Sequence, residues 1–177
     1  MRTEERMQRL EAQKDAILAE VGGWPAELQR WRPADGGWSA LQVLDHLVRT
    51  EAGISAVARV RLAMPQRITV RDRVGFVFVE HVFRSRRRVR VPGSVANVIA
   101  PGEGLELAEI ATRWKETREN LVDLVCEAEG CRGGLFRHPV GGWMNFDQVL
   151  RFFSVHILHH EYQLERIRAG ASGALRT

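Results

Sequence analysis

Four long stretches of this chain place apolar residues at helical spacing, and a glycine or a proline closes each of them. Met7, Leu10, Ile17, Leu18 and Val21 form the stripe of the first, residues 4–21, which Gly22, Gly23 and Pro25 end. The second runs from Ser39 to about Met64, where Pro65 stops it. Ser39 and Gln42 open it at capping-box spacing, so that each side chain can satisfy a free backbone N–H of the first turn. Leu107, Ile110, Trp114, Leu121, Leu124 and Val125 form the buried side of the third, residues 105–129, with Gly130 just past its end. The fourth spans 145–169, with Asn145 and Gln148 repeating the cap and Gly170 as the expected stop. The arithmetic gives an all-α fold: a four-helix bundle with a long crossover between helices 2 and 3, one domain over 1–170, and a flexible tail over 171–177.

The crossover, residues 66–104, is the least regular part. "RVGFVFVEHVF" suits a short strand or a helix and reads best as a short helix capped near Asp72, with Val74, Phe78, Val82 and the nearby phenylalanines forming a broad apolar face, and "VPGSVANVIAPGEG" as irregular linking chain. "PAELQRWRPADGG" reads as a turn or short helix. "GGWSALQVL" and "GGWMNFDQVL" resemble each other, which two glycine turns with a tryptophan over a helix end explain without a duplication.

Composition excludes several classes of protein. A hydrophobic fraction of 45% is globular, and no apolar run is long enough to span a bilayer, so no membrane association is expected. The charged N-terminal segment lacks the apolar core of a signal peptide, and the expected compartment is the cytoplasm. Cys126 and Cys131 alone make no disulfide framework and read as reduced thiols. The net charge is +4, with arginine supplying nearly all the positive charge and its densest run at Arg84–Arg90. No nucleic-acid-binding motif accompanies that run, so it reads as a solvated face or connection rather than a phosphate-binding patch.

Chemistry concentrates in "SVHILHHEYQ", residues 154–163, which holds three of the six histidines. His156 and His160 lie one helical turn apart on one face, which they share with Val149, Phe152, Phe153, Gln163 and Ile167. His159 falls to the edge of that face, where it covers the site or meets solvent. His46 lies on the second helix on a mainly apolar side with Val43, Val57 and Val60. A buried imidazole without a partner costs about 1–3 kcal/mol, whereas three of them meeting from two helices can share a divalent metal. The sequence after His156 is Ile157, so the glutamate of H-E-x-x-H is absent. His138, before Pro139, has a turn role by default, and His81 beside Glu80 is not a ligand candidate. Glu51 and Glu161 are the acid–base candidates, but helical phase puts neither on the metal stripe, and no general base is assigned.

"WSALQVLDHLVRTE" followed by "HPVGGWMNFDQVLRFFSVHILHHEYQLERI" resembles the DinB/YfiT-like superfamily, over essentially residues 4–169. The resemblance implies a bundle in up-down-down-up order. It also implies a zinc or nickel ion held by His46, His156 and His160, with His159 and Gln163 completing the motif as outer partners. Activities in that superfamily include S-transfer with low-molecular-weight thiols, thiol-dependent maleylpyruvate isomerisation and metal-dependent hydrolysis, and homodimers are frequent. The expectation is a metal-dependent enzyme of the thiol S-transferase or hydrolase type, acting on a small-molecule substrate with a low-molecular-weight thiol as possible cosubstrate. Its rivals are a non-catalytic metal-binding stress-response bundle and a basic dimer that binds nucleic acid.

Overall fold

The computed structural model describes residues 3–87 and 100–174. In chain order its elements are α1 (Thr3–Gly22), α2 (Ala26–Arg30), α3 (Ala40–Arg61), α4 (Val70–Arg84), α5 (Leu107–Glu127), β1 (Phe136–His138), β2 (Gly142–Met144) and α6 (Phe146–Ala174). The four long helices α1, α3, α5 and α6 are those that the apolar periodicity predicts. None of the described helices is long and apolar enough to cross a membrane.

Polar contacts between the helices give their directions. Arg6 pairs with Asp147 at 2.7 Å, and Ser154 Oγ donates to Gln13 at 2.7 Å, so α1 and α6 run side by side from start to end. On α3 and α5, Glu51 meets Arg118 and, further along both, Arg59 meets Glu127, so this pair is also parallel. Gly22, ending α1, lies against Leu107, which begins α5, so these two are antiparallel. The order is therefore up-down-down-up, with α1 and α3 on opposite corners. Trp114, Phe153, Leu44, Leu47 and Leu121 fill the centre. Full burial of such side chains is worth about 1.5–3 kcal/mol each.

Reciprocal caps fix two helix starts that matter for the site. Ser39 Oγ accepts from the Gln42 amide while Gln42 Oε1 accepts from the Ser39 amide, at 3.3 and 3.1 Å. Asn145 and Gln148 do the same for α6, at 2.9 and 3.0 Å. The fourth helix does not stop at Gly170: it continues to Ala174, and Ala171 is fully buried. Gly170 is instead a close-approach position, where a Cβ would sit 3.0 Å from the Trp31 ring. Residues 175–177 of the expected tail lie outside the described residues, as do 91–99 of the expected linking chain and Arg88–Arg90 of the arginine run.

α4 is the short helix expected in the crossover, but its cap lies earlier and its buried face is narrower than expected. Thr69 is the N-cap, and Asp72 completes the box from the third helical position. Phe76, Val79 and Phe83 pack inward, whereas Val74 and Phe78 are exposed. The hairpin β1–β2, which the sequence does not announce, supplies the reason. Gly75 of α4 faces Gly141 in the hairpin turn so closely that a Cβ would sit 2.9 Å from the Gly141 carbonyl oxygen. Gly142 takes φ +72, and a side chain there would collide with the Asp72 carboxylate, which accepts the Trp143 amide at 3.0 Å. Glu80 of α4 and Arg151 of α6 form a two-pronged ion pair on the other side of the helix. α4 and the hairpin thus form a wall fastened beside the α3–α6 seam.

Candidate metal centre

His46 stands nearly two turns into α3, and His156 and His160 stand in the middle of α6. α3 and α6 run antiparallel, and the three rings meet in the seam between them. They are nearly sealed, with exposures of 2%, 5% and 6%. His156 Nε2 lies 3.2 Å from His46 Nε2 and 3.0 Å from His160 Nε2, and the ligand nitrogens all lie within 4.8 Å of one another. A tetrahedral ion with bonds of about 2.0–2.1 Å holds its nitrogens roughly 3.3 Å apart, close to the two separations from His156.

The donor chemistry fits a cation. His160 Nδ1–H donates to Gln163 Oε1 at 2.8 Å, which leaves the lone pair of His160 on Nε2, facing the other rings. A single proton on His156 Nε2 cannot serve both of its neighbours well. His156 Nδ1 is buried with no partner among the described residues, an uncompensated cost at a ring placed for its other nitrogen. Burial holds His156 and His160 well below the usual histidine range, and the neighbouring rings push in the same direction. Both are therefore neutral, the form that ligates.

Aromatic rings surround the cluster. Trp38 lies 4.8 Å from His46, and Phe152 stacks on His156 at 5.3 Å and 14°. Phe83 reaches in from α4, 5.6 Å from His156 and 5.0 Å from His159. Beyond them opens a cavity of about 760 Å³, walled mainly by apolar side chains of α3, α4, α6 and the hairpin, including Ile54, Val79 and Phe136. The three histidines form part of its lining, so the cluster meets the cavity directly.

The site residues read from the sequence fall as follows. His46, His156 and His160 come together; Gln163 orients His160; and His159 is 7% exposed, lining the cavity rather than meeting solvent. Val57 faces the cavity, but Val60 is 80% exposed and no part of an interior stripe with His46. Glu51 points away from the cluster into the α3–α5 seam, and Glu161 does not line the cavity. Cys126 and Cys131 are free thiols. Phe136 and the hairpin went unread, because three-residue strands leave too short a pattern to find. Exposed apolar residues concentrate on α4 (Val70, Val74, Val77, Phe78) and the second half of α3 (Val57, Val60), with Val122 on α5.

A helical bundle with a buried histidine triad opening on an apolar cavity is the class of protein that this fold and site define. The particular family follows from comparison: residues 9–164 match the DinB superfamily, and the chain belongs to it. No curated protein matches the chain.

Proposed function

We propose that the chain is a metal-dependent enzyme of the thiol S-transferase or hydrolase type, with His46, His156 and His160 holding a zinc or nickel ion. The observation that carries this reading is the opening of the triad onto the 760 Å³ cavity. A structural ion is closed off by protein, whereas a catalytic one keeps a coordination position for substrate. When bound, such an ion lowers the pKa of a water or thiol toward neutrality. The chain's own residues supply the rest. Gln163 fixes the orientation of His160, Phe83 and Phe152 keep water from the rings, and the apolar walls receive the body of a small molecule. No carboxylate of the described residues lines the cavity. That favours transfer from a low-molecular-weight thiol, whose nucleophile needs only to ionise, over hydrolysis assisted by a protein base.

The same lack of a lining carboxylate supports a second reading, a non-catalytic metal-binding bundle of the stress-response kind. The basic dimer that binds nucleic acid gains no support, since Arg84 faces Glu80 and Arg86 pairs with Glu165 at 2.7 Å. A homodimer remains part of the proposal, and the exposed apolar residues of α3 and α4 favour it. Metal analysis of the purified chain, followed by thiol binding to the loaded protein, tests the enzyme reading. It expects about one ion per chain, lost in His46→Ala with helicity kept. Global unfolding on chelation supports the non-catalytic reading instead, and failure to retain added zinc or nickel sinks both.

A further inference from the structure

His138 ends β1 and faces the cavity from the hairpin side. Its two ring nitrogens have different jobs. Nδ1 accepts the amides of Val140 and Gly141, at 3.2 and 2.9 Å, and so ties the hairpin turn together. An acceptor of two N–H groups carries no proton, so the ring proton sits on Nε2. Nε2 has no hydrogen-bond partner among the described residues, and it is not among the atoms sealed inside the protein. The turn therefore holds a neutral N–H donor at the cavity wall. Burial, which pushes His138 down to about 4, keeps that donor neutral at ordinary pH.

We propose that His138 is a ligand-positioning residue whose Nε2–H takes a carbonyl-type oxygen of an apolar small molecule held in the cavity. The inference rests on reading the cavity as the substrate site. It adds the substrate class: an apolar body with one sp² oxygen, from a ketone, ester or carboxylate. The geometry also fixes where that oxygen lies. The Phe152 ring is 5.3 Å from the His138 ring and 5.3 Å from the His156 ring, so donor and triad are separated by one aromatic ring on a shared wall. A molecule that engages both spans about one ring between its oxygen and its reacting atom. No acidic side chain of the described residues lines the cavity to favour a cation there.

The test is a two-by-two cycle on the full chain: acetophenone and its hydrocarbon counterpart ethylbenzene, against wild type and His138→Asn. Asparagine keeps a side-chain oxygen able to accept the turn amides, and its own NH2, one bond nearer the backbone than Nε2, falls short of the Nε2–H position. The wider cavity of the variant affects both probes alike, and the cycle cancels it. One neutral hydrogen bond predicts that acetophenone loses about three- to tenfold in affinity while ethylbenzene changes less than about twofold. Acetophenone should also shift the His138 Nε2 resonance of wild type, and ethylbenzene should not. This second readout stands even if the variant does not fold. Equal weakening of both probes, no change in either, or no binding to wild type overturns the proposal. Running the cycle with and without added zinc separates the two readings. A chain that holds no metal yet gives the expected cycle sinks both metal readings and leaves this inference standing, and a loaded chain with a flat cycle sinks only this inference.

Discussion

Glu51 and His46 lie little more than a turn apart on α3, and both are buried, at 0% and 2% exposure. Glu51 turns to α5, where it accepts from Arg118 at 2.9 Å and from the Trp114 indole at 3.0 Å. His46 turns to α6 and meets two more neutral rings. Burial raises the pKa of Glu51, while Arg118 and Trp114 oppose the rise. In the α3–α5 seam, opposite charges answer each other inside the protein, although Arg118 Nε and Nη1 stay buried without a partner among the described residues. In the α3–α6 seam, three groups of one kind bring their Nε2 atoms together beside a cavity. A buried polar cluster that contains its own opposite charge fastens helices; one that lacks it is equipped to bind.

The largest effect that sharpens this contrast comes from Arg118→Ala. It leaves Glu51 buried without its counter-charge, which costs about 3–5 kcal/mol of stability. Urea unfolding measures the loss, and metal affinity of the folded protein should stay as it was. Metal binding that falls in parallel breaks the comparison. His156→Ala does the reverse. It should weaken metal binding by more than the roughly 10–100-fold typical of losing an outer partner. The rise in melting temperature on adding zinc, expected for wild type, should vanish in the variant while its helical circular dichroism persists. Gln163→Leu is the milder version. It removes the acceptor from His160 Nδ1 and should cost metal affinity by about 10–100-fold, read by competition with a chelator.

Most of the bundle was legible because helical periodicity and capping are local. The pairs Ser39–Gln42 and Asn145–Gln148 lie within single turns, and the structure has both. His156 and His160 were legible for the same reason, and His46 through its mainly apolar helix side. What failed depended on neighbours distant in sequence. Gly170 looked like a stop because a glycine often ends a helix, but it admits the Trp31 ring from α2's end. The face of α4 was read too broadly, because Gly75, not a large apolar residue, makes its closest approach to the hairpin. Helical phase could exclude Glu51 from the metal stripe, but only packing against α5 could name Arg118 as its partner. His138 read as a turn residue, and it is one through Nδ1; its other nitrogen carries meaning only once the cavity is known.

Acid should separate the two seams by a smaller margin. The Asp72 carboxylate fastens α4 to the hairpin, and the Thr69 hydroxyl, the Thr69 amide and the Trp143 amide hold its pKa below the usual range. A carboxylate depressed in the folded state contributes stability above its unfolded pKa, near 4. That contribution is lost as pH falls through the lower folded value. The group is close to the surface and screened, so the effect is local rather than global. Glu51 behaves oppositely: its raised pKa means that the folded chain binds the proton more readily, and acidification through this group removes no stability. Below about pH 4 the cavity wall should therefore loosen before the α3–α5 seam does. Amide hydrogen exchange, corrected for intrinsic rates, reads this directly. Protection at the Trp143 amide should fall while that of Leu121 in the core persists. Loss at Leu121 first would show that the closed seam, not the wall, is the acid-sensitive part of the fold.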